Sequence, residues 1–181
     1  MSPCRRLLPV SAALLALAAC SSVPMPQFEG SPQPMTATRL DYLGYRATTD
    51  HQPWIVLRDG ESLATGREGA PSLKVRRSGP HAIGDLNGDG RPDAAVVTAT
   101  ETGGSGTFMA LAAVLDDQGT PRQVAGVPLG DRVKVDSVSI ADGTIEIALV
   151  RHGPQDALCC PTQAATLRYR LADNRLVPAK P

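Results

Sequence analysis

The chain has 181 residues, with 18 Lys and Arg against 18 Asp and Glu, so its formal net charge is zero. This balance, with basic residues scattered apart from the pair Arg76-Arg77, excludes the concentrated positive face that a nucleic-acid surface needs. Aromatic residues make up only 3% of the chain, so Val, Leu, Ile and Ala must fill the core, and the length suits one domain.

The first segment is an address. Arg5 and Arg6 are positive, Leu7 to Ala16 are mostly apolar, and Leu17-Ala18-Ala19-Cys20 places small residues before a cysteine. That order is a secretory signal peptide whose end resembles a bacterial lipobox. Pro9 interrupts the apolar run, which falls short of the roughly 20 residues of a spanning helix. Cleavage before Cys20 and acylation of its thiol are expected to tether the mature chain to a membrane by lipid. The alternative is an ordinary signal peptide cut at Ala-x-Ala-like residues. Loss of residues 1–19 leaves 16 basic against 18 acidic side chains, so attachment comes from lipid and not from charge. Ser21 stands where an aspartate would favour the inner membrane, which points to the outer membrane, facing the periplasm, in a cell that has one.

Residues 20–38 follow as the lipidated cysteine and a spacer, with four prolines among Ser, Gln and Gly. Proline fixes φ and favours extended conformations, so this stretch can hold a domain away from a bilayer. Residues 39–181 are expected to form that domain. Thr38 to Tyr45 can make about one helical turn, and the rest reads as strands. Leu73-Lys74-Val75-Arg76 and Leu167 to Leu171 alternate apolar and polar residues, as in a sheet with one face in water. Asp93 to Ala99 and Phe108 to Leu115 are apolar on both faces and suit the covered centre of a sheet.

Asp142-Gly143 predicts a type I′ hairpin in which Ile140 faces Ile145 and Val138 faces Ile147. Val133 and Val135 fall on the opposite parity from Val138 and Ile140, so a bulge near Asp136 or Ser137 is needed to aim all four at one core. Asp173-Asn174 predicts a second hairpin that pairs Leu171 with Leu176. The fold class is therefore all-β, a mainly antiparallel sandwich or partly open barrel, with the last five or so strands as a meander.

The strongest chemical motif is Gly84-Asp85-Leu86-Asn87-Gly88-Asp89-Gly90-Arg91-Pro92-Asp93. Oxygen side chains at loop positions 1, 3, 5 and 9, a Gly at position 6 and a carbonyl at position 7 are what a hard cation such as calcium requires. Position 12 is Val96 in place of Glu, and the residues after Asp93 are β-like, so this is no EF-hand. The segment resembles the calcium loops of FG-GAP repeats in integrin-type β-propellers. That resemblance implies Asp85, Asn87, Asp89 and Asp93 as side-chain ligands and Arg91 as a carbonyl ligand. Only one copy is present, so a propeller is not implied. The alternative is a metal-free pair of tight turns at Asn87-Gly88 and Asp89-Gly90. Calcium, if bound, has a structural role, because binding only to the folded state stabilises that state.

Cys4 leaves with the signal peptide and Cys20 is spent on lipid, so Cys159 and Cys160 can form only a vicinal disulfide within the chain. An oxidising compartment favours that bond. Three roles stay open: a structural pair, thiol redox chemistry, and a zinc or copper site with His152. Adjacent cysteines fit a regular tetrahedral site poorly. His51 and His81 have no ligand-like spacing. Gly103-Gly104-Ser105-Gly106, Gly130-Asp131-Arg132-Val133 and Cys159-Cys160-Pro161-Thr162 together resemble a group of secreted bacterial proteins that includes LppP/LprE-like lipoproteins, a resemblance that implies no activity. Gly103 to Gly106 lacks the Lys-Ser/Thr of a phosphate loop and suits a hairpin connection.

Neither G-x-S-x-G nor H-E-x-x-H occurs, although a triad assembled from distant segments stays open. The expectation is a lipid-anchored envelope protein with a calcium-stabilised β domain that acts as a binding or structural module. Its partner would be an envelope protein or glycan. The alternative is a periplasmic thiol redox or metal-handling protein that uses Cys159 and Cys160.

Overall fold

The structure, a computed structural model, describes residues 33–46, 54–64 and 73–180. The signal peptide, Cys4, the lipobox with Cys20, most of the spacer and His51 lie outside the described residues. In chain order the elements are a one-turn helix α1 (Ala37–Asp41), β1 (Gly44–Arg46), β2 (Trp54–Val56), β3 (Glu61–Ala64), β4 (Leu73–Gly84) and β5 (Asp93–Glu101). They continue with β6 (Phe108–Asp117), β7 (Thr120–Asp131), β8 (Lys134–Ala141), β9 (Thr144–Arg151), β10 (Gln163–Ala172) and β11 (Arg175–Pro178).

The fold is all-β and antiparallel, as the alternation and turn chemistry predict. Its two main sheets have strand orders β3-β4-β5-β6-β7 and β11-β10-β9-β8, and β1 and β2 form a separate ribbon. Both sheets are meanders of strands consecutive in sequence. The expected run of five meandering strands is divided: the last four share one sheet, and β7 closes the other. The chain passes between sheets at Asp131–Val133, where Arg132 takes a left-handed conformation with φ of 50°.

The five-stranded sheet is covered on both faces, which explains the unbroken apolar run of β5. On one face Ala95, Val97, Leu111 and Ala113 pack with Ile145, Ile147, Leu149 and Tyr169 of the four-stranded sheet. On the other face Ala94, Val96, Ala112 and Val114 pack with Leu40 of α1, Tyr45 of β1, and Ile55 and Leu57 at β2. Successive side chains of a strand point to opposite faces, so a strand covered on both sides must be apolar at odd and even positions alike. Tyr45 is wholly buried and donates its hydroxyl proton to the Leu40 carbonyl at 3.0 Å. Met35, inside the stretch read as spacer, is buried in this second core, and Thr36 caps α1 by accepting from the Arg39 N–H.

The hairpin details follow the sequence closely. Asp142 and Gly143 have φ of 47° and 68°, and Ile140 pairs with Ile145 and Val138 with Ile147. The register of β8 against β9 shifts between Val135 and Ser137, which leaves Asp136 as the extra residue. Val133, Val135, Val138 and Ile140 consequently all join the inner core. Without the bulge one pair of these would face water, at about 1.5–3 kcal/mol per fully buried side chain. Leu171 pairs with Leu176 around Asp173-Asn174 as expected. Pro121 and Pro128 lie on β7, an edge strand of its sheet, where a missing N–H leaves no ladder bond unmade.

Candidate functional site

A meander places its connections alternately at the two ends of the sandwich. The loop from Asp85 to Pro92, the β6–β7 turn and the β8–β9 turn share one end, and a Cβ built on Gly143 would stand 3.6 Å from the Leu86 carbonyl. The β5–β6 loop, the sheet crossover at Arg132 and the β9–β10 loop with the cysteines share the other. Nine residues of β5 separate these ends by about 27 Å at the antiparallel rise. The acidic loop and the cysteine pair are therefore two sites, not one.

At the first end the acidic side chains are engaged with the loop's own backbone. Asp85 Oδ1 accepts from the N–H groups of Asn87 at 3.1 Å and Gly88 at 2.7 Å, and its Oδ2 from that of Gly90 at 2.9 Å. Asn87 Oδ1 accepts from the Asp89 N–H at 3.0 Å, and Asp89 Oδ1 from the Arg91 N–H at 2.8 Å. Gly88 and Gly90 have φ of 80° and 79°, the left-handed conformation that lets the chain wrap around Asp85. The Gly90 and Gly88 N–H groups hold the Asp85 carboxyl below the usual carboxylate range.

Asp93 is different in kind. It has no exposed surface, its Oδ2 accepts from the Leu86 N–H at 2.9 Å, and its Oδ1 accepts from the Asp116 N–H at 2.9 Å. It thus fastens the loop to the first residues of β5 and to β6 at once. Burial pushes its carboxyl up, an effect that the Asp116 and Leu86 N–H groups oppose and that nearby Asp89 and Asp85 reinforce. Asp116 was not singled out by its sequence, since a strand-end Asp beside Asp117 looks like a turn residue. It is buried, and its Oδ1 has no hydrogen-bond partner.

A cleft of about 280 Å³ opens between this loop and the β6–β7 hairpin, lined among others by Asn87, Asp89, Arg91, Leu115, Asp117 and Arg122. The available donors, two carboxylates near the surface, an amide oxygen and the Arg91 carbonyl, are all hard oxygens that suit calcium and not a thiophilic metal. Among the described residues, no group of three or more His, Cys, Asp or Glu side chains converges closely enough to hold a metal ion.

At the second end Arg132 is the organising residue. Its guanidinium donates to the Leu158 carbonyl at 3.0 Å, to the Ser105 carbonyl and to the Asp131 carboxylate, while Asp131 Oδ1 accepts from the Thr107 N–H at 2.8 Å. The β5–β6 loop, the sheet crossover and the β9–β10 loop just before Cys159 therefore meet around one side chain. Gly103 to Gly106 indeed lie in a hairpin connection, between β5 and β6.

Cys159 and Cys160 are joined as a vicinal disulfide with both residues exposed. The loop beneath them is closed by Asp156, which accepts from the Gly153 N–H at 2.8 Å and from the N–H and hydroxyl of Thr162, each at 2.7 Å. His152 lies near Asp156 and its Nε2 is buried without a hydrogen-bond partner. His81 sits 3.2 Å from Arg77, and burial followed by that guanidinium lowers its pKa.

Acid should open the cysteine loop. The Gly153 N–H, the Thr162 hydroxyl and the Thr162 N–H depress the Asp156 carboxyl below its ordinary value. A carboxyl depressed in the folded state contributes stability above its unfolded value of about 3.9, and that contribution is lost as pH falls through the folded pKa. The Gly153 and Thr162 amides are thus expected to stay protected from exchange at pH 5 and to lose protection only at strongly acid pH. Loss of protection already between about pH 5 and 7 would show that Asp156 does not hold the loop.

No family model, curated protein or solved structure matches this chain. Among the described residues no helix is long and apolar enough to cross a membrane.

Proposed function

We propose that this protein is an exported module of the bacterial cell envelope, tethered by lipid on Cys20. In this reading its β sandwich is stabilised by a calcium ion held by Asp85, Asn87, Asp89 and the Arg91 carbonyl, while Asp93, buried on the Leu86 and Asp116 N–H groups, fastens the loop from within instead of serving as the fourth side-chain ligand. The module binds an envelope protein or glycan, or serves a structural role. The observation that supports the calcium reading is the wrapping of the loop backbone around Asp85. Three N–H groups fix that carboxylate, and two glycines in the left-handed conformation leave the loop open to solvent around it. Calcium supplies positive charge to carboxylates that otherwise repel one another, and a bound ion stabilises the fold by mass action. The lipid tether rests on Leu17-Ala18-Ala19-Cys20 and the segment before it.

A thermal melt of the purified protein with calcium and then with chelator tests this. Calcium is expected to raise the melting temperature by several degrees, and Asp89→Ala, whose side chain is exposed, is expected to remove the rise while leaving the chelated melt nearly unchanged. The same melting temperature with and without calcium would reduce residues 85–93 to a pair of turns.

A further inference from the structure

The cysteine loop at the opposite end is not absorbed by that function. We propose that the Cys159–Cys160 disulfide is a two-electron exchange site for thiol reductants, displayed on a loop that keeps its shape whether the bond is formed or broken. Three observations and one general rule lead there. Both cysteines are exposed, and so are Ala157 and Leu158 beside them, the latter at 81%, so an incoming thiolate meets no barrier. A bond between adjacent residues closes the smallest loop a disulfide can close and restricts the unfolded chain least, so it is a poor staple.

The loop is also already fastened without it. Asp156 holds Gly153 and Thr162, the Cys160 N–H donates to the Ala157 carbonyl at 3.0 Å, and Arg132 holds the Leu158 carbonyl. Finally, exposed disulfides are the ones that thiol pools reduce, in contrast to buried structural ones.

The chemistry is ordinary exchange. The thiolate of a reductant attacks one of the two sulfurs, the S–S bond breaks, and the other cysteine leaves as a thiolate that takes up a proton. A second reductant thiol then attacks the mixed disulfide, which releases the first cysteine as a thiol and the reductant as its own disulfide. Two electrons have passed from the reductant to the pair. Asp156 and Arg132 keep the two thiols side by side for reoxidation, as positioning residues that touch no reacting atom.

The test uses the folded full-length protein and glutathione as the probe. The protein is equilibrated in buffers of graded [GSH]²/[GSSG], quenched with acid and alkylated, and the peptide carrying both cysteines is read by mass spectrometry. The doubly labelled fraction is expected to pass from roughly one tenth to nine tenths over an about 100-fold change in that ratio, with the sheet signal unchanged. A pair that stays unlabelled in excess reduced glutathione, or is labelled only as the sheet signal disappears, overturns the proposal. The double variant Cys159→Ser, Cys160→Ser provides a second measurement. It is expected to melt within a few degrees of the parent, and failure to fold would make the disulfide a staple and sink the idea. Neither readout depends on calcium, so the two sites are judged separately.

Discussion

Asp93→Ala is expected to lower the folding free energy by about 2–4 kcal/mol, the largest effect of any single carboxylate in the loop. Removing the side chain strands the Leu86 and Asp116 N–H groups inside the protein, each costing about 1–3 kcal/mol when left unpaired. The loss is reduced because a buried charge, whose carboxyl is pushed up by its surroundings, disappears with the side chain. For a domain of this size the melting temperature should fall by about 5–15 °C. Asp93→Asn keeps one acceptor but turns an amide NH₂ towards the second N–H, so roughly half of the loss should remain. The measurement belongs in chelator, by denaturant unfolding with an unchanged m-value. A shift below about 0.5 kcal/mol would mean that the loop and β6 are held together by something other than this carboxylate.

Gly84→Val should be about as damaging, for a steric reason. A Cβ at Gly84 would stand 2.8 Å from Ile140 Cγ2 and 2.9 Å from Ile140 Cβ, where β4 and β8 bring the two sheets together. Valine adds two further methyl groups at that contact, so an overpacking cost of about 3 kcal/mol is expected. Ile140→Ala removes the Cγ2 contact but keeps the Cβ at 2.9 Å, so it relieves the clash in part. Alone it should cost about 2 kcal/mol, because Ile140 is only partly buried. Combined with Gly84→Val, it should recover part of the damage, a coupling that a double-mutant cycle reads directly. Strict additivity would place the strain somewhere other than between these two side chains.

Much of the sandwich could be read from local chemistry because its specification is local. Asp142-Gly143 and Asp173-Asn174 fix turn type and hence register, and the parity break between Val135 and Val138 places the bulge. The apolar run of β5 announces a strand covered on both faces, though not what covers it. The covering on one side is α1 and the β1–β2 ribbon, three or five residues per element, too short to carry a period of their own. The spacing of Asp85, Asn87, Asp89 and Asp93 located the acidic loop, but it treated four oxygens alike. Asp93 instead turns inward to backbone N–H groups, and the partner that makes this so, Asp116, comes from a strand whose nearness no spacing rule could supply. Arg132 was equally hidden. Its importance lies in three carbonyl and carboxylate contacts spread over segments more than twenty residues apart.

The partition of strands between sheets sets an order of assembly. Every strand pair in the two large sheets joins neighbours in sequence, so pairing closes only short loops, a topology that favours fast folding. The strands of the five-stranded sheet are complete by residue 131, before β8 begins at residue 134. A chain delivered N-terminus first can therefore pair all five before β8 to β11 arrive. Until then Ala95, Val97, Leu111 and Ala113 form a bare apolar face, the surface from which a stalled or truncated chain would aggregate. The last 48 residues, from β8 onward, act as the cover for that face, and their arrival ends the vulnerable interval.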